Sequence, residues 1–160
     1  MVESVIESYA IGGGVGAQAY LTPMSTEDID VFVAVKPEVA ATLQPLQEIY
    51  ASLAGRAKAD GLYLVIGGWP VRFLVVPDLL HLDAVRTAVT REIGGEPARF
   101  MRPEYLAAIA LKTGRPSDKA RLLEFLQTGA VDRPALEEPV ARHDLADRWS
   151  LFKRQILGAQ

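Results

Sequence analysis

None of the 160 residues is cysteine. A disulfide framework, a thiolate metal site and a cysteine nucleophile are thereby excluded. Histidine is almost as scarce, and the two copies, His81 and His143, lie far apart with no partner at metal-ligand spacing. No apolar run approaches the ~20 residues that span a bilayer, so no membrane association is expected. The first eight residues carry two acids and no basic segment, unlike a secretory signal, and a cytoplasmic location is the expectation. Gly-x-Ser-x-Gly, Walker and Rossmann fingerprints do not occur. The run from Gly12 to Gly16 is glycine-rich but lacks the Lys-Ser/Thr that a P-loop needs. Repeats, low-complexity tracts and linker-like segments are missing too.

What is present is ordinary for a globular chain: 49% apolar and 23% charged residues. By length it is one domain, 1–160, long enough to bury roughly two-thirds of its unfolded surface. The net charge of -3 argues against bulk DNA or RNA binding through a basic face. Seventeen Lys and Arg residues still leave room for a local basic pocket.

Hydrophobic periodicity predicts an α/β (α+β) fold, an α/β core over 1–101 followed by a helical part over 102–160. A short helix is expected over 2–7, then a strand at Tyr9-Ala10-Ile11 ending in glycines, and a helix from Val15 to Tyr20. Residues 28–35 read as a strand. Apolar positions Leu43, Leu46, Ile49, Tyr50 and Leu53 predict one long helix from Val39 to about Lys58. The runs 62–66 and 71–76 flank Gly67-Gly68 and predict a hairpin, with Pro70 opening its strand and Trp69 an exposed contact residue at the tip. A helix capped by Asp78 is expected to reach about Glu92, with Gly94-Gly95 breaking it before a short, possible edge strand at 97–101. Helices are expected over about 103–113, 117–128, 133–143 and 145–157, with Pro134 in the first turn of the third and Trp149, Phe152 and Ile156 on a core face.

The chemistry concentrates between Gly13 and Asp30. Side chains in a strand alternate between faces, so Asp28 and Asp30 point the same way, about 7 Å apart at the backbone. They open an otherwise apolar strand, Val31 to Val35, where a charge is costly unless paired or metal-bound. Two aligned carboxylates beside a glycine turn suit a hard divalent cation and a polyphosphate. Backbone N–H groups at Gly13 and Gly14, with the start of the helix at 15–20, are placed to hold phosphate oxygens. Ser25 and Thr26 add hydroxyls, or are plain turn residues.

Gly13-Gly14, a helix and Asp28-x-Asp30 resemble the signature of the nucleotidyltransferase superfamily related to DNA polymerase β. A second run, from Arg102 through Lys112 and Asp118 to Arg121, is similar to a block of a small bacterial branch near the nucleotidyltransferase toxins of abortive-infection (type IV toxin–antitoxin) systems. The resemblance implies a mixed sheet flanked by helices. It also implies a nucleoside triphosphate bound with Mg²⁺ on Asp28 and Asp30, and nucleotidyl transfer to a hydroxyl acceptor on RNA or protein. It gives Lys112 a phosphate-contacting role and allows a partner protein.

The chain departs from that pattern. A third carboxylate usually completes the family's metal site on a later strand, and here Arg72 stands at the corresponding place, an arginine that never deprotonates. Asp78 and Glu27 are weak substitutes. Met24 and Ser117 stand where basic residues are common, unless Arg115 or Lys119 supplies the second charge; Asp118 is expected to pair with Lys112 or cap its helix. Two readings follow: an Mg²⁺-dependent nucleotidyltransferase, or a catalytically degenerate member acting as a binding or regulatory module with Arg72 paired to Asp28 or Asp30. A third is an unrelated function on the same fold.

Overall fold

An apolar run such as Val31–Val35 is stable only where both faces of a strand are covered, and the computed structural model places it so. The structure describes residues 5–158 except 24, 43 and 94. Its strands are β1 (Ile6–Ile11), β2 (Ile29–Val35), β3 (Lys58–Asp60), β4 (Tyr63–Ile66), β5 (Trp69–Val75), β6 (Val89–Ile93) and β7 (Glu96–Phe100). Among the described residues they form one mixed seven-stranded sheet in the order β3-β4-β5-β2-β1-β7-β6. β2 runs antiparallel to β1 and parallel to β5. It therefore lies at the centre of the sheet, with Asp28 just ahead of its first residue.

Helices α1 (Gly13–Gln18), α2 (Pro37–Ala40), α3 (Pro45–Leu53) and α4 (Leu79–Arg86) connect these strands, and α5 (Pro103–Thr113), α6 (Pro116–Gln127), α7 (Arg133–Arg142) and α8 (Ala146–Ile156) follow them. Successive residues of β2 serve opposite cores. Ala34 packs with Leu80, Leu106 and Phe125 beneath α4 and α5. Val33 packs with Val5 and Ile49 beneath α3. Helix α5 is the hub of the helical half, touching α1, α4, α6, α7 and α8. Its small residues Ala107, Ala108 and Ala110 are buried and let those neighbours approach. The mixed sheet with flanking helices and the helical run after it agree with the sequence expectation, as do the four last helices within a residue or two.

Four expectations need correction. The helix over 2–7 is not formed at 6–7, which belong to β1, where Ile6 finds Val35 across the antiparallel ladder; residues 2–4 lie outside the described residues. The long helix from Val39 is two short ones, α2 and α3. Pro45 lacks an amide hydrogen and drives Gln44 out of the helical region, and α3 starts at the proline. Leu43 lies outside the described residues, while Lys58 belongs to β3. The helix begun at Asp78 stops at Arg86, because Val89 and Thr90 enter β6, which pairs residue by residue with β7. β6 is thus the edge strand, and β7 lies inside it. Gly95 turns the hairpin at φ +86°; Gly94 lies outside the described residues. Finally, Trp149 and Phe152 stack in the core, but Ile156 is 41% exposed.

This core makes a direct stability prediction. Phe125, fully buried under α5, should cost about 3–5 kcal/mol when truncated to alanine. Ile156→Ala should stay within about 1 kcal/mol. Urea unfolding of the two variants measures the difference.

Candidate functional site

The acid pair sits where the sheet leaves its carbonyl-paired interior. Asp30 shares a β2 face with Phe32 and Ala34, the face that α4 and α5 cover. The parallel ladder sets Asp30 directly opposite Arg72 of β5. Arg72 Nε and Nη2 each lie 2.9 Å from Asp30 Oδ1, and Nη2 lies 3.9 Å from Asp28 Oδ2. The hydrogen bond to Asp30 raises the guanidinium's pKa further above its ordinary value, against an opposing effect of burial. Arg72 is thus a fixed cation between two carboxylates.

The glycine turn is pressed against the same carboxylate. Gly12 N–H donates to Asp30 O at 3.0 Å. Gly13 adopts φ +57°, and a Cβ there would stand 2.5 Å from Asp30 Oδ2. A Cβ on Gly14 would meet Thr26 Oγ1 at 3.0 Å, and Thr26 Oγ1 donates to Asp28 O at 3.2 Å. Gly13, Gly14, Ser25, Thr26, Asp28 and Asp30 consequently line one pocket of about 220 Å³, with Gln18, Arg72, Arg115 and Arg121 completing it. A second cavity of about 180 Å³ adjoins it through Gly13, Asp30, Arg72, Arg115 and Arg121.

Lys112 is placed elsewhere. It does not line this pocket; its Nζ lies 2.6 Å from Asp78 Oδ2. Asp78 also caps α4 by accepting from His81 N at 3.0 Å, and its Oδ1 is 2.8 Å from His81 Nδ1. Burial pushes the Asp78 carboxyl up, but the Lys112 and His81 contacts outweigh it and hold its pKa well below the usual range. Asp78 is therefore committed to its own network, and Glu27 is exposed. Asp118 does not pair with Lys112. It accepts from Arg115 N at 3.3 Å at the start of α6, and Arg115 Nε and Nη2 reach it at 2.7 and 3.2 Å. Met24 lies outside the described residues.

These distances test the metal expectation. Among the described residues no group of three His, Cys, Asp or Glu side chains could hold a metal ion. The two carboxylates that converge already share Arg72. The donor set as arranged does not fit Mg²⁺. Sequence reasoning named Arg115 only as a stand-in charge and gave Arg121 no role. The signal for Arg121 was its i+3 spacing from Asp118, which puts both on one face of α6. His81 was also passed over; it stacks on Phe32 at 5.2 Å and lines the second cavity.

No family profile and no curated protein sequence matches the chain. Its structure does have likenesses. The chain has the nucleotidyltransferase-like fold: it superimposes on an antigenic nucleotidyltransferase-like protein from Paracoccidioides brasiliensis with a TM-score of 0.54 and 16% identity, over 91% of this chain and 84% of that one. The antibiotic-resistance factor ANT(2'')-Ia in solution gives a TM-score of 0.48 at 17% identity, over 99% of this chain and 91% of that one. Likeness at such identity establishes the fold alone.

Two outcomes follow from the geometry. Gly13→Ala combines a strained φ with a clash on Asp30, so it should cost about 1–3 kcal/mol, measured by urea unfolding. Asp78, with its pKa depressed by folding, stabilises the protein above its ordinary value of 3.8 and loses that contribution as pH falls below it. The stability of Asp78→Asn should therefore fall less steeply than wild type on acidification below about pH 4.

Proposed function

We propose that this protein binds a nucleoside triphosphate in the Gly13–Asp30 pocket and works as a nucleotide-binding or regulatory module. Its acidic pair is held by Arg72 instead of Mg²⁺. One observation carries the reading: the guanidinium of Arg72 lies on Asp30 and reaches toward Asp28. Metal-dependent transfer needs cations that stabilise the attacking and leaving oxygens. An arginine supplies fixed charge and fork-shaped donors for phosphate, but no exchangeable coordination sites. The backbone of Gly13 and Gly14 and the hydroxyls of Ser25 and Thr26 offer further donors along the same wall.

The transfer reading keeps one support. Arg72 Nη2 is 3.9 Å from Asp28 Oδ2, beyond hydrogen-bond reach, and its side chain is 36% exposed. Were Arg72 to swing away, Asp28 and Asp30 would be available to Mg²⁺. Nucleotidyl transfer to a hydroxyl on RNA or protein, in a toxin–antitoxin or defence setting, belongs to that arrangement.

Isothermal titration with ATP, GTP, CTP and UTP, each with Mg²⁺ and with EDTA, separates the readings. Binding that persists in EDTA and weakens about tenfold or more in Arg72→Ala supports the module. Binding that requires Mg²⁺ and disappears in Asp28→Asn supports transfer instead. Failure to bind any of the four under either condition overturns both.

A further inference from the structure

The α5–α6 corner carries a feature that the acid pair does not explain. Asp118, on the first turn of α6, is only 2% exposed. A carboxylate buried that deeply is costly unless paired. It gathers two arginines: Arg115, through the two short contacts already described, and Arg121, whose Nη1 lies 3.9 Å away. Both guanidiniums line the acidic pocket and the adjoining cavity. Arg121 Nε is itself buried and has no hydrogen-bond partner among the described residues. Buried donors are rarely left so. Ser8 Oγ and Trp149 Nε1 share that condition, but neither lines these two cavities.

Charge is also segregated. At the strand end, Asp28 and Asp30 face the single cation of Arg72. At the helix end, Asp118 faces the two cations of Arg115 and Arg121. One end carries a net negative charge and the other a net positive charge, across a pocket of about 220 Å³. A polyphosphate entering this field places its terminal, most charged group away from the carboxylates and toward α6.

We infer that Arg115 and Arg121, held by Asp118, form a clamp for the terminal phosphate of a polyphosphate ligand. Arg121 Nε supplies the donor that otherwise has no acceptor. The inference rests on the nucleotide-binding reading and names what that pocket selects: phosphate chain length, not a single phosphate. Asp118 acts as a positioning residue, because its carboxylate sets both guanidiniums without itself meeting an anion.

The test is a competition titration in EDTA with ATP, ADP, AMP and inorganic tripolyphosphate, on the wild type, Arg121→Gln and Arg115→Gln. Wild type should rank ATP above ADP above AMP, and tripolyphosphate should displace ATP. Arg121→Gln should weaken ATP and tripolyphosphate by about tenfold or more while changing AMP less than about twofold. Equal losses for ATP and AMP, or no loss for ATP, overturn the clamp. Should Arg121→Gln not fold, Arg115→Gln at the more exposed position reads the same ratio, and tripolyphosphate that fails to compete with wild-type ATP also overturns it. Should no nucleotide bind, the functional reading fails separately; the clamp then stands only if wild type binds tripolyphosphate alone and Arg121→Gln does not.

Discussion

The parallel register between β2 and β5 puts residue 72 opposite Asp30, and the rest of the site answers to that one alignment. With an acid at 72, three carboxylates would converge, and like charges so close need a cation to coexist. With arginine, the same backbone geometry yields a neutralising fork. The ion pair is open enough to water to add only about 0–1 kcal/mol of stability. Its importance lies in occupancy: a guanidinium stands in the space between the carboxylates and sets which chemistry the pocket can hold.

The glycine turn depends on the same strand. Gly13 can lie against the Asp30 carboxylate because it has no Cβ and tolerates φ +57°. Gly12 then closes the turn with a backbone bond to Asp30 O. The approach of α1 to β2 therefore passes through Asp30 twice, once by its carbonyl and once by its side chain. A residue expected to serve a metal also serves the packing of the turn.

How much of this was legible in the sequence depends on the range of the interaction. The two-residue alternation of Asp28 and Asp30 and the glycine pair are local, and they pointed to one pocket. The break at Pro45 was local too, but an apolar periodicity of three and four outweighed it. The step from α4 to β6 was not local: Val89–Ile93 becomes a strand because β7 pairs with it. Lys112 shows the limit most clearly. Its helical face was correct, yet its destination depended on Asp78, thirty-four residues earlier. Likewise, the orphaned Nε of Arg121 is a property of three-dimensional burial that no spacing encodes.

The two ends of the pocket respond to different demands, and this makes the site more than a damaged metal centre. Loss of a third acid alone would leave a carboxylate pair repelling phosphate. Here the change is matched by a second cationic cluster on α6, anchored by an acid that is itself buried. Carrying a buried Asp118 only to orient two arginines is a costly arrangement for a surface without a ligand. It is economical if an anion completes the valence of Arg121 and balances the positive end. The fold is shared with nucleotidyltransferase-like proteins, but fold does not set function. In this chain the charges that remain favour holding a phosphate chain over cutting it.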